Sequence, residues 1–199
     1  MIEILTGTYQ VIDPTCGRTP AAIELDMGCG KGRLALELAR RYPDRLVLGS
    51  DVMLGRLRRL DRKVTNRGLA NLVLLRADNL DLASYLLPHA CIDRIHLLCP
   101  DPWPKERHRI KRLVTTDFVG RLARLLKPGG VLHLSTDHLP YLADWRRILA
   151  AYPSLREDPQ AIADIADIQT EFEMQWRAAG KDVPHLAFRF EPQTQASST

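Results

Sequence analysis

The chain has 199 residues, 45% hydrophobic and 26% charged, which suits one globular domain burying roughly 70% of its unfolded surface. No apolar run approaches the ~18 residues of a membrane span, and MIEILTGTYQ at the amino terminus lacks the basic start and apolar core of a leader peptide, so a soluble cytoplasmic protein is expected. The formal charge of +4 is mild, and Cys16, Cys29, Cys91 and Cys99 show no CxxC spacing; a zinc cluster or disulfide framework is not suggested, and any case for a nucleic-acid partner rests on where the cations cluster.

In chain order, the apolar run Ala22 to Met27 reads as a strand, Arg33 to Arg41 as a helix and Leu46 to Gly49 as a second strand. Leu54, Leu57, Leu60 and Val64 recur at helical spacing up to Gly68, a good carboxy-terminal cap. A strand at Leu72 to Ala77 follows, then a β-rich run at Ile92 to Leu98. Thr116 to Leu126 is an amphipathic helix ended by Lys127-Pro128-Gly129-Gly130, Val131 to Ser135 is another strand, and Tyr141 to Ala151 one more helix. After Pro153, PSLREDPQ reads as a surface loop, a short helix opens at Thr170, and His185 to Phe190 forms a last strand. Five strands alternating with helices imply an α/β fold, a mostly parallel sheet with helices on both faces, and ligands at the carboxyl ends of the strands.

The residues that follow strands are therefore the candidates. Asp26-Met27-Gly28-Cys29-Gly30-Lys31-Gly32 ends the first strand, and its alternate glycines let the backbone approach a ligand. Dinucleotide binding wants GxGxxG, but position 33 is Arg33, and no Walker lysine-serine pair is present. A nucleoside without a pyrophosphate fits better, and a glycine turn serving only strand-to-helix packing fits as well. Asp51 ends the second strand nineteen residues after Gly32, where a carboxylate can accept both ribose hydroxyls. Asp78, after the third strand, can accept from an adenine amine or cap a helix, and Asp26 can pin the glycine loop or meet a ligand ammonium.

These acids and the loop together resemble the site of S-adenosylmethionine-dependent methyltransferases, which have a Rossmann-like fold. Pro100-Asp101-Pro102-Trp103-Pro104-Lys105, then Arg107-His108 and Lys111-Arg112, is similar to the signature of tRNA (guanine-N7-)-methyltransferases, as are Thr136-Asp137 and Thr170-Glu171-Phe172-Glu173 ahead of Trp176 and Gly180. The resemblance runs from about Ile23 to Lys181 and implies one methyltransferase domain at 22–191, with a short segment at 1–21 before it and a flexible tail at 192–199. It further implies that Asp26, Gly28, Gly30, Gly32, Asp51, Asp78 and Asp101 bind S-adenosylmethionine, that Asp101 is also catalytic, and that Lys105, Arg107, Asp137, Thr170, Glu171, Phe172 and Glu173 bind tRNA. No metal, DNA or membrane is implied. The family usually has Glu where Asp26 and Asp51 stand, a basic residue at Ile110, and a longer arm before the first strand. Two alternatives are a related enzyme acting on another RNA or a small molecule, and a non-catalytic RNA-binding protein with a vestigial cofactor site.

Several of these residues also have structural readings. Thr170-x-x-Glu173 is a capping box, and Phe172 with Trp176 can be the buried face of its helix. Arg56, Arg58, Arg59, Arg62 and Lys63 read as a solvated helix face outside the site. In the elbow, the prolines fix φ near −65° and remove amide donors, so the loop cannot join the sheet. The elbow is expected to hold Asp101 beside the cofactor, with Trp103 packing it or stacking on a base, while Lys105, Arg107, His108, Lys111 and Arg112 meet phosphates.

Overall fold

A computed structural model describes residues 1–7, 9–103 and 105–192; Pro104 of the elbow and nearly all of the expected tail lie outside the described residues. One eight-stranded sheet runs through the molecule in the order β1-β4-β3-β2-β5-β6-β8-β7. Its strands are β1 (Ile2–Ile4), β2 (Ile23–Met27), β3 (Leu46–Ser50), β4 (Leu72–Arg76), β5 (Ile92–Leu98), β6 (Leu126–Ser135), β7 (Leu155–Glu157) and β8 (His185–Phe190). The first six are parallel to one another, and β8 pairs antiparallel with both β6 and β7.

Each residue of β2 and β3 is buried, as expected of central parallel strands covered on both faces. Period-two alternation sends neighbouring residues to opposite cores. Leu46 and Leu48 join a layer containing Phe118, Val119, Tyr141 and Trp145, whereas Val47 joins Leu34, Leu38, Leu57 and Leu60. The helices α1 (Arg33–Arg41) and α2 (Leu54–Asn66) therefore cover one face. The other is covered by the short turn α3 (Asn79–Asp81), its π-helical continuation Leu82–Leu86, α4 (Thr116–Leu125) and α5 (Leu139–Leu149). In α2, Leu57, Leu60 and Val64 are the buried residues, three and four apart, a stripe one turn wide.

Three expectations need correcting. The first twenty residues hold a strand, because the backbone of Ile2–Ile4 pairs with β4. PSLREDPQ is more than a loop: Leu155–Glu157 forms the edge strand β7, and a 3-10 helix follows at Pro159–Ile165. Helix α4 stops at Leu125, and β6 starts at Leu126, with Lys127 to Gly130 accommodated by a register shift against β5. The last helix, α6 (Glu171–Ala178), opens at the expected place, with Thr170 as its cap.

Candidate active site

Since β3 lies on one side of β2 and β5 on the other, the chain crosses over in opposite directions from β2, which opens a crevice beyond the carboxyl ends of these strands. A cavity of about 620 Å³ lies there, bounded by the glycine loop, the ends of β3 to β6 and the start of α6. It is lined by Asp26, Gly28, Gly30, Asp51, Asp78 and Asp101, together with Asp137, Thr170, Glu171 and Phe172. Ten of the candidates, separated in sequence by up to 146 positions (Asp26 to Phe172), thus share one wall.

The acids differ in what they are free to do. Asp51 is buried; its Oδ1 accepts from the Met53 amide at 2.7 Å and its Oδ2 lies 3.4 Å from Arg56. Asp26 is buried too, and burial pushes its carboxyl up to about 7 despite a hydrogen bond from the Ala35 amide. Such a group favours a ligand that brings positive charge or a donor. Asp78 caps α3 by accepting from the Leu80 amide at 2.7 Å, so its capping reading holds, and it still lines the cavity. Asp101 is exposed on the rim and has no hydrogen-bond or ion-pair partner among the described residues.

The elbow that carries Asp101 is clamped. Cys99 and Trp103 both adopt positive φ, 49° and 42°, a conformation that costs a non-glycine residue ~1–2 kcal/mol and persists only under outside restraint. The restraints are visible. The Cys99 amide donates to the Ser135 carbonyl at 2.8 Å, and Arg112 donates to the Pro102 carbonyl at 2.9 Å and to Asp144 at 2.8 Å. His108 meets the Trp103 ring edge-on, and Lys111 lies 4.8 Å from its centroid. Arg112 is thus a tether lying over Tyr141, its side chain 10% exposed, and is not available as the phosphate contact expected of it. Lys105 and Arg107 are exposed and stand outside the cavity wall, with no carboxylate partner among the described residues.

Two further candidates face elsewhere. Gly32 lies beneath the loop as the amino-terminal cap of α1 with φ 77°, its α-carbon packed against Leu60. Glu173 is buried behind α6 and bonds His185 and Arg177. The capping box is therefore one-sided: Thr170 accepts from the Glu173 amide, but the glutamate side chain turns inward to those partners. Sequence reasoning missed Asn79, which lies within hydrogen-bond distance of Ser50 at 3.3 Å, and misplaced Arg56 among the solvated cations, although both line the cavity. Arg56 was legible as the position five residues after Asp51.

The thiols are poor nucleophiles. Burial raises Cys99 to about 11 in spite of its contact with Ser135 at 3.7 Å. Among the described residues no group of three or more His, Cys, Asp or Glu side chains is placed to hold a metal, and no helix is long and apolar enough to cross a membrane.

Comparison with known proteins gives the family and the fold. Residues 20–186 match the family model described as a putative methyltransferase. The chain is 34% identical over 171 residues to the tRNA (guanine-N(7)-)-methyltransferase of Paracidovorax citrulli, covering 85% of this chain and 69% of that protein. It is 36% identical over 157 residues to the Caulobacter vibrioides protein of the same name, covering 78% and 67%. Among solved structures, the 16S rRNA methyltransferase KamB superposes with a TM-score of 0.64 at 19% identity, covering 87% of this chain and 89% of that one. A SAM-dependent methyltransferase from Aquifex aeolicus gives 0.59 at 16%, covering 87% and 85%. These two carry the fold alone. With a family model spanning most of its length and relatives above 30% identity, the chain belongs to the tRNA (guanine-N(7)-)-methyltransferase family and has the fold of S-adenosylmethionine-dependent methyltransferases.

Proposed function

We propose that this protein transfers a methyl group from S-adenosylmethionine to N7 of a guanine in tRNA, in the variable loop. The observation that carries the reading is Asp101, a carboxylate with no partner among the described residues, held by a clamped elbow on the rim of the cavity that also contains the glycine loop and Asp51.

The residues present fit the cofactor. Gly28 and Gly30 leave backbone exposed to the cavity, Asp51 would accept from the ribose hydroxyls, Asp78 from the adenine amine, and Asp26 would meet the ammonium. When bound, S-adenosylmethionine supplies an electrophilic methyl group on a sulfonium. The guanine N7 lone pair is unprotonated at neutral pH, so no base has to generate the nucleophile, and orientation can supply up to ~7–11 kcal/mol of the barrier reduction. Asp101 would accept from the Watson–Crick edge of the guanine and so fix the ring, and its charge would favour the cationic product. Glu171, Phe172 and Asp137 line the same cavity on the side of α6, where a base would enter, while Lys105 and Arg107 would meet phosphates outside it.

The test is incubation with cofactor and unmodified tRNA, followed by mass spectrometry of the nucleosides. The expected product is 7-methylguanosine; methylation solely at another base or atom sinks the reading. Asp101→Ala should lose most turnover and keep cofactor affinity. Cys99→Ser should stay active, because a thiol at about 11 is no covalent catalyst at neutral pH.

A further inference from the structure

On the face of the sheet that carries α1, a polar row interrupts the apolar core. Glu24 on β2, His96 on β5, His133 on β6 and His185 on β8 lie side by side across four strands, and Glu173 of α6 closes the row. Glu24 Oε2 to His96 Nε2 is 2.9 Å, His96 Nδ1 to His133 Nδ1 is 2.9 Å, His133 Nε2 to His185 Nδ1 is 2.7 Å, and His185 Nε2 to Glu173 Oε1 is 3.2 Å. His96 and His133 are 0% and 3% exposed, and the two glutamates 1% and 3%, so water cannot stand in for a missing link.

Counting protons shows what the row requires. Both carboxylates are ionised. Burial raises each, but hydrogen bonds from His96 and Arg94 outweigh it at Glu24, and those from His185 and Arg177 outweigh it at Glu173, so both lie below the usual range. Each end link then needs a hydrogen on the ring nitrogen, and each middle link needs one hydrogen shared between two nitrogens. Four links need four ring protons, and three neutral imidazoles carry three. Burial opposes charge on His96 and His133, and the ring hydrogens go first to the ionised ends, where the bond is charge-assisted: His96 Nε2–H donates to Glu24 and His185 Nε2–H to Glu173, which leaves one of the two nitrogen–nitrogen links without a hydrogen.

We propose that His185 is a positioning residue for the reaction, its hydrogen bond to Glu173 pinning α6, the wall of the cavity, to the sheet. The helix offers little else to hold it: Glu173 is its one buried residue, and Phe172 and Met174 are exposed. Glu173 Oε1 takes both Arg177 and His185, and its Oε2 has no partner among the described residues, so losing the His185 link would leave a buried carboxylate held, among those residues, from its own helix alone. That carboxylate carries the backbone of Glu171, Phe172, Gln175 and Trp176, all on the cavity wall. The charged and titratable groups facing the link are His133 from β6, Glu173 and Arg177 from α6, and Asp182 ahead of β8, 3.8 Å from Arg177. Lys181 with Asp137, at 3.6 Å, and the Cys99 thiol lie next to these.

This inference rests on the function proposed above, and its test separates the two. Methyl-transfer kinetics on tRNA are measured for the parent, His185→Gln and His185→Ala. The glutamine amide is a donor that can replace the ring N–H. The KM for tRNA in His185→Ala should rise ~10-fold, the loss of one charge-assisted hydrogen bond, with kcat hardly changed, and His185→Gln should keep the parent's low KM. The second measurement needs no RNA. In protein with 15N-labelled histidine, NMR should find both His185 and His96 protonated at Nε2. A bare His185 Nε2 toward Glu173 overturns the proposal, as does an alanine variant with the parent's KM. If the chain methylates no tRNA, the functional reading fails, and the ring protonation pattern still decides the row.

Discussion

Substituting Gly32 by alanine tests whether the glycine loop is shaped for packing or for ligand approach. At φ 77° any β-carbon costs ~1–2 kcal/mol. A β-carbon at Gly32 would also lie 2.3 Å from Leu60 Cδ1, 2.4 Å from Cδ2 and 2.9 Å from Cγ. Leu60 is 1% exposed and enclosed among Leu34, Val64 and Leu74, so it cannot swing into solvent, and overpacking of this kind adds ~1–3 kcal/mol. Gly32→Ala should therefore lose about 2–5 kcal/mol. Gly30→Ala is the control: its φ is 58°, and the nearest atom to the new carbon is the Gly28 carbonyl oxygen at 3.8 Å, so it should lose only the ~1–2 kcal/mol of backbone strain. The difference, read as urea midpoints at equal slope, isolates the collision with Leu60. In the double variant Gly32→Ala/Leu60→Ala the new methyl group has room, so the two losses should add to less than their sum, with a coupling of ~0.5–3 kcal/mol. Equal destabilisation of the two glycine variants, or strict additivity with Leu60→Ala, would refute the packing account of Gly32.

Asp26 gives a pH dependence with a definite sign. Its carboxyl lies at about 7 in the folded chain against 3.8 for the ordinary group, so the folded state holds the extra proton; stability is fully present below about 4 and falls as pH rises towards 7. Asp26→Asn should flatten that decline in urea midpoints measured across the window, and an unchanged decline would remove the assignment. Because a cationic ligand favours the ionised form, cofactor affinity measured by calorimetry should rise with pH up to about 7 in the parent and stay level in Asp26→Asn. In the basic stretch, alanine at Lys105 or Arg107 should each lower the slope of log RNA affinity against log salt by about 0.7–0.9. Arg112→Ala should instead cost ~1.5–3 kcal/mol of stability through its lost bonds to Asp144 and Pro102; a salt-slope change without a stability loss would return Arg112 to the phosphate contacts.

What the sequence by itself determined is the central architecture and which acids line the cavity. Five fully apolar or alternating runs separated by helical stripes can only pack as a covered parallel sheet, and such a sheet brings its carboxyl ends together, so Asp26, Asp51, Asp78 and Asp101 had to meet once each followed a strand. What tertiary structure decided is everything that depends on which way a polar side chain turns. Arg112 and Glu173 carry the same chemistry as their exposed neighbours Lys105 and Glu171, and only the neighbours available in space, Asp144 for one and His185 for the other, draw them inward. The three-residue strands β1 and β7 are too short for a period to show and exist because a sheet edge offered unpaired backbone groups. The histidine row was invisible for a related reason. His96, His133 and His185 are 37 and 52 residues apart, and their juxtaposition is set by strand order and register, which arise from the whole sheet and from no local pattern in the chain.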